Sequence, residues 1–133
     1  MPLNPKTAAA SRNAGLDAAF DVLNSGFLRI YDGTQPTDAD TALGAQVMLA
    51  ELALGATAFA AAAAGSKAAN AIADDPAANA TGTATWGTLA TSGSVRRLDY
   101  SVGTATSDLI LNSVAISAGA IVSVTAFTIS QAP

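Results

Sequence analysis

The sequence contains neither cysteine nor histidine, and this double absence removes much of the common chemistry of protein sites. Disulfides, thiolate nucleophiles, zinc sites built from cysteine or histidine, and any Ser-His-Asp triad are excluded. Acid-base catalysis by paired aspartates stays open, but no segment surrounds two aspartates with the apolar residues that such a pair needs. We therefore expect a protein that is not an enzyme and has no cofactor.

Charged residues and long hydrophobic runs are scarce as well. Only 12% of the residues are charged, and the net charge is −4. Nucleic-acid binding needs a basic face, so we expect no nucleic-acid partner. The longest apolar run, residues 56–64, is alanine-rich, is interrupted by Thr57 and is too short to cross a bilayer. We expect no secretory signal in the first ten residues and no membrane partner.

Large apolar side chains are few, because 33 of the 133 residues are alanine. This length favours one domain, and the composition favours a folded chain with a thin core of small side chains. We assign the domain to residues 11–133, with its core anchored by the largest apolar side chains of the predicted elements: Phe20, Leu28, Ile30, Trp86 and Phe127.

The first ten residues, with Pro2 and Pro5, predict an extended N-terminal arm. A helix follows at about residues 12–24, because Leu16, Phe20 and Leu23 recur at helical spacing. Ser11 or Asn13 can cap this helix at its start, and Gly26 is expected to end it.

The remainder of the chain predicts β-structure. Residues 26–33 alternate and stop at an Asp-Gly pair, which is typical of a strand. From Thr81 onward we expect a strand ending at Trp86, a turn at residues 91–94, a returning antiparallel strand, and a last hairpin within residues 109–129. Residues 45–73 are ambiguous, because helix propensity competes there with strand alternation. The predicted fold is mainly β: an antiparallel β-sandwich or jelly roll with one short N-terminal helix.

No motif indicates a metal or ligand site. The pairs Asp38/Asp40 and Asp74/Asp75 are typical of polar turns, since no calcium-loop spacing accompanies them. Alternating threonines at residues 81–85 are ordinary strand chemistry. Arg96 and Arg97 point to opposite faces of a strand, where one can pair with Asp99 or with an acidic partner.

Residues 26–43, GFLRIYDGTQPTDADTAL, resemble a group of small virion proteins of tailed bacteriophages. The resemblance continues in residues 69–72 (ANAI), 80–86 (ATGTATW), 108–112 (DLILN) and 122–129 (VSVTAFTI). It implies a β-rich cement or decoration protein that binds the major capsid protein lattice on the outer head surface, with trimers at lattice threefold positions. Such a protein is made in the bacterial cytoplasm. The resemblance also implies strands at residues 47–54 and 57–63.

Partner binding is expected at the arm and at the two arginines: Pro2, Leu3, Asn4, Pro5, Lys6, Thr7, Arg96 and Arg97. Two alternatives stay open. The chain can be a head-tail connector, tail or fibre component. It can also be a carbohydrate-binding or host-surface-binding module, in which Tyr31, Trp86 and Tyr100 line a shallow sugar site.

Overall fold

A computed structural model describes residues 6–130, which form one helix followed by nine strands. Helix α1 spans Ala9–Phe20 and continues as a 3₁₀ turn, Asp21–Leu23. The strands are β1 Phe27–Tyr31, β2 Met48–Ala53, β3 Ser66–Ala68, β4 Gly82–Thr83, β5 Trp86–Ala90, β6 Arg96–Gly103, β7 Leu109–Leu111, β8 Ala115–Ile116 and β9 Val124–Ser130.

Seven strands form one curled sheet in the order β2-β1-β5-β6-β7-β9-β3, and β4 pairs with β8. The predicted class, mainly β with one short N-terminal helix, is confirmed, and the arrangement is consistent with a sandwich-like fold. The sheet is mixed, because β6 and β7 run parallel and the other pairs are antiparallel. Strand β6 joins the two halves of the sheet: it pairs with β5 along most of its length and with β7 only at its end.

The alternation of β1 places its side chains on two faces of the sheet. Leu28 and Ile30 are fully buried in the main core, beside Leu52 of β2 and Leu89 of β5. Tyr31 lies opposite Trp86 and stacks on it, with ring centroids 4.7 Å apart. Of the expected anchors, Leu28, Ile30, Trp86 and Phe127 are buried, and Phe20 is half-buried against the core.

The helix begins earlier than the spacing predicts. It starts at Ala9 rather than at about residue 12, so only residues 6–8 of the described arm are outside regular structure. The alanines preceding Ser11 have the highest helix propensity and extend the helix. No side chain caps its start; the Asn13 side chain binds Gly65 instead. The helical region ends at Leu23, before Gly26, where a Cβ would lie 2.2 Å from the Ala90 carbonyl oxygen.

Three strand predictions need correction, whereas those for β1, β2 and the returning strand β6 are confirmed. Strand β2 lies within the predicted residues 47–54. Residues 57–63 form isolated bridges to Ala69 and Ser66 rather than a strand. The predicted strand ending at Trp86 is divided into β4 and β5, with β5 beginning at that residue. In the last hairpin, β7 pairs with β9, whereas β8 pairs with the distant β4. Alanine fits several backbone states, and sequence alternation does not identify long-range partners.

No helix within residues 6–130 has both the length and the apolar character that a membrane crossing requires.

Candidate interaction surface

Lys67 of β3 is a buried cation that fixes the helix to the sheet. Its side chain is 1% exposed, and Nζ lies 2.6 Å from Asp17 Oδ1 and 3.1 Å from Asp21 Oδ1. A buried ammonium group needs such partners, because an unpaired buried charge is strongly unfavourable. The triad Lys67, Asp17 and Asp21 is called the helix lock below.

Polar side chains along the helical region also bind the alanine-rich backbone of residues 58–65. Asn13 Oδ1, Asp17 Oδ1 and Asn24 Oδ1 each accept a main-chain N–H at 2.9 Å, from Gly65, Ala62 and Ala58. These donors belong to a segment that forms only isolated bridges, so the side chains replace a missing strand neighbour. The polar side of α1 therefore faces the protein, and small alanine side chains permit this close approach.

Within the helix lock, the pKa values of Asp17 and Lys67 are shifted. The hydrogen bond from Lys67 holds the pKa of Asp17 below its ordinary value of 3.8, and the Ala62 N–H acts in the same direction. Burial lowers the pKa of Lys67, but its hydrogen bonds to the two aspartates outweigh burial, so this pKa lies above 10.5. The ion pair is therefore fully charged at neutral pH, which makes it a structural contact rather than an acid-base pair.

A long exposed loop, residues 32–47, is closed and ordered by its own side chains. Asp32 N–H donates to the Val47 carbonyl oxygen at 3.2 Å, and Val47 N–H donates to Asp32 Oδ1 at 2.7 Å. Gln46 bridges Gly44 N–H and the Thr34 carbonyl oxygen, at 2.7 Å each. Such compact loops with joined ends are frequently functional. This loop forms a fixed surface at one end of β1 and β2.

Asp38 orders the middle of the loop. Its Oδ1 accepts the Asp40 N–H at 3.1 Å and both the N–H and the hydroxyl of Thr41, at 2.9 and 2.8 Å. These bonds, above all the one from the Thr41 hydroxyl, lower the pKa of Asp38. The carboxylate of the predicted polar turn is thus used within the turn itself.

Arg96 holds the loop on the sheet, while Arg97 does not. The Arg96 guanidinium donates to the carbonyl oxygens of Thr41 and Asp38, and lies 2.5 Å from Asp99 Oδ2. Its Cζ lies 5.8 Å from the centre of the Trp86 ring. Arg97 is exposed. The predicted pairing of one arginine with Asp99 is confirmed, and of the two arginines only Arg97 is presented to solvent.

The three aromatic residues expected to line a sugar site do not form an exposed platform. Tyr31, Trp86 and Tyr100 are at most 6% exposed. Tyr100 contacts Phe127, with ring centroids 4.8 Å apart, whereas Tyr31 and Trp86 stack on each other. Burial raises the pKa of both tyrosines. Large flat apolar rings are buried here because the alanine-rich chain has few other large side chains to fill its interior.

The free side of edge strand β2 is capped by the loop that contains Asp75. Asp75 is 6% exposed; its Oδ2 accepts the Glu51 N–H and its Oδ1 the Ala77 N–H, both at 3.0 Å. The Asn79 N–H donates to the Leu49 carbonyl oxygen at 2.8 Å. These contacts occupy main-chain groups that an uncovered edge would offer to another chain.

The remaining sequence-predicted partner residues lie at the amino end. Lys6 and Thr7 are exposed, and the Thr7 carbonyl oxygen accepts a bond from Arg12. Pro2, Leu3, Asn4 and Pro5 lie outside the described residues. Among the described residues, Thr7 is bonded to Arg12, whereas Arg96 is bonded to the loop of residues 32–47 and to Asp99.

Two residues that position these elements were not predicted from the sequence. For Lys67 the sequence does carry a signal of its structural role, because it is the sole charge within the alanine-rich residues 60–73 and a charge there implies a buried partner. Asp75 has none, since Asp-Asp-Pro is typical of any polar turn. Among residues 6–130, no three acidic side chains converge as a metal site would require.

No protein-family model, no curated protein and no solved structure matches the chain.

Proposed function

We propose that this chain is a non-enzymatic structural protein of a tailed-bacteriophage virion. In this proposal it is a cement protein that binds the outer surface of the major capsid protein lattice and stabilises the head. Self-association into trimers at the lattice threefold positions belongs to the same proposal. The support is the resemblance carried by residues 26–43 and the way in which these residues are used in the fold.

The observation that carries the proposal is the ordered loop of residues 32–47. It lies within and just beyond the stretch that resembles phage virion proteins, and most of its residues are exposed. Its ends are bonded to each other, its middle is ordered by Asp38, and Arg96 joins it to the sheet. A surface that is already ordered loses little conformational entropy on binding. Repeated over a lattice, modest contacts of this kind give firm attachment.

The polar side chains described above support the same interpretation. Asp17, Asp75 and Arg96 bind main-chain groups of neighbouring segments and thereby hold elements in place, and Asp38 orders its own turn. A protein that strengthens a shell works through a stiff shape and through the area that it buries, and these contacts supply stiffness to a core that is rich in alanine.

Binding to heads tests the proposal. Heads of the encoding phage are prepared without this protein, mixed with the purified chain and sedimented, and their resistance to heat is measured with and without it. We expect saturable co-sedimentation and heads that open at a higher temperature. Failure to sediment with heads would contradict the proposal. Binding restricted to tails or to the portal vertex would select the connector, tail or fibre alternative, and binding only to host cells would select the host-surface alternative.

A further inference from the structure

One arginine holds the tip of the long loop, residues 35–43, on the rest of the protein. Bonds made by Asp32 and Gln46 close the base of the loop and do not involve the tip. Among residues 6–130, Arg96 is the only residue outside the loop that hydrogen-bonds the tip, and it binds two main-chain carbonyl oxygens there. None of residues 35–43 is buried. These residues are called the lid below.

The lid and Arg96 cover the sole tryptophan of the chain. Trp86 is 1% exposed although it lies outside the main core, on the face of β5 opposite to Leu89. Tyr31 stacks on the Trp86 ring, and the Arg96 guanidinium lies over that ring. The same guanidinium binds the lid, so the main chain of the lid lies directly beside the group that covers Trp86.

The lid and the sheet beneath it differ in what holds them in place. The lid contributes no buried side chain, so its attachment consists of the hydrogen bonds from Arg96. Strands β1 and β5 are each paired on both sides, and their residues Leu28, Ile30 and Leu89 are fully buried. Segments with few buried apolar contacts open at a lower free energy than the core does. The lid is therefore expected to open before the sheet.

The lid has the internal order that it needs to move as a unit. Asp38 accepts the N–H and the hydroxyl of Thr41, and both residues belong to the lid, so these bonds persist when the lid leaves the sheet. At the base, Gly33 has a φ of +76°, a conformation that glycine adopts without strain, and it supplies a hinge.

We infer that residues 35–43 form a hinged lid latched by Arg96, which lifts while the sheet stays folded. Lifting uncovers the ring of Trp86 and the guanidinium of Arg96, which the closed form largely hides. The protein therefore has a minor open form that presents a cation beside an aromatic ring on the outer face of β5 and β6. This inference concerns the isolated chain and does not rest on the proposed function.

A fluorescent label on the lid measures its opening, because Trp86 lies beneath it and the chain has no cysteine. Ala42→Cys places the label at an exposed lid residue next to Thr41. The label is bimane, whose emission a nearby tryptophan quenches. Urea is then increased while bimane emission reports the lid and far-ultraviolet circular dichroism reports the sheet. We expect bimane emission to rise at a lower urea concentration than the loss of the sheet, with a smaller dependence on urea because less surface is exposed.

Two variants of the labelled protein test the latch. Arg96→Lys keeps the positive charge but loses the planar fork that binds two carbonyl oxygens. We expect it to raise the equilibrium constant for lid opening about tenfold, as the loss of a hydrogen bond to a charged group does. Thr85→Val is the matched control, because it removes a bond to the Gly33 carbonyl oxygen at the base of the loop, and we expect it to leave the lid transition unchanged.

Acrylamide quenching of Trp86 in the unlabelled protein checks the result without a label. We expect stronger quenching at a urea concentration between the two transitions than in the absence of urea. Coincident lid and sheet transitions would show that the lid opens only on unfolding and would overturn the inference. Equal lid transitions in Arg96→Lys and Thr85→Val would overturn it as well, since Arg96 would not be the latch. Bimane emission that is unquenched without urea would show that the lid does not cover Trp86.

Discussion

At the scale of single residues, Lys67 is the side chain on which most depends. Its ammonium group lies in an alanine-rich environment and binds two carboxylates that are themselves 38% and 59% exposed. The carboxylates keep their hydration when the partner is removed, whereas the helix loses its charged contact with β3. Lys67 therefore acts mainly by holding α1 in position against β3.

Replacing Lys67 with methionine tests this role. Lys67→Met keeps the length of the side chain but removes both ion pairs, and we expect it to lower the free energy of unfolding by about 1–3 kcal/mol. Lys6→Met removes an exposed lysine and is the control, expected to stay within about 0.5 kcal/mol of the unmodified protein. Urea unfolding measures both. Equal stability of the two variants would show that the helix lock contributes nothing to the free energy of unfolding.

The lowered pKa of Asp17 predicts how this contact responds to acid. A carboxylate whose pKa is lowered by folding stabilises the fold above its ordinary pKa of 3.8, and this contribution disappears as the pH falls through the lowered value. We expect the stability difference between the unmodified protein and Asp17→Asn to be largest at neutral pH and to shrink below about pH 4. Urea unfolding at a series of pH values between about 2 and 7 measures this difference. A difference that grows on acidification would contradict the assignment.

At the scale of elements, local patterns predict some strands well. Strands β1 and β6 alternate between large and polar side chains and lie where the sequence places them. Residues 57–63 carry no such contrast, because alanine packs on either face of a strand. The N–H groups of Ala58 and Ala62 are bound by the side chains of Asn24 and Asp17 instead of by a neighbouring strand. The local sequence pattern also cannot predict the pairing of β4 with β8, since 31 residues separate the two strands in the chain.

The candidate surface was predictable only in part, for a related reason. The polar loop after β1 follows from its turn residues, and so does the alternate orientation of Arg96 and Arg97. Its attachment to the sheet does not follow, because the acceptors for Arg96 are carbonyl oxygens more than 50 residues away, which any residue type supplies.

The neighbouring arginines provide a matched test of the loop. Arg96→Ala removes the bonds to residues 38 and 41 and the pair with Asp99, so we expect a loss of about 1–3 kcal/mol in stability. We also expect faster hydrogen exchange at the loop amides. Arg97→Ala removes an exposed side chain and is expected to change stability by less than about 0.5 kcal/mol. Equal loop exchange in the two variants would mean that Arg96 does not hold the loop.

At the scale of the whole molecule, we propose that the residues before α1 contribute to attachment to heads. The structure begins α1 at Ala9, so the arm available for removal without cutting the helix ends before that residue. We expect deletion of residues 1–6 to leave the melting temperature unchanged and to reduce the occupancy of heads. Calorimetry and quantitative gels of purified particles measure the two effects. Full occupancy of heads by the shortened chain would show that the arm does not contribute to binding.

The architecture as a whole is a thin alanine-rich core stiffened by polar contacts between elements. Those contacts fix α1, the loop of residues 32–47 and the edge of β2. A rigid β-rich body of this kind fits a role in which one molecule contacts repeated neighbours, because multivalent attachment depends on geometry held constant from copy to copy.

The most direct test of that role is the number of copies of the chain in purified virions of the encoding phage. Quantitative mass spectrometry, calibrated against the major capsid protein, gives this number. A cement protein is predicted to be present in hundreds of copies, in a fixed ratio to the capsid protein and located on the head. Absence from the particle, or a copy number near a dozen confined to the tail or the portal vertex, would contradict the account.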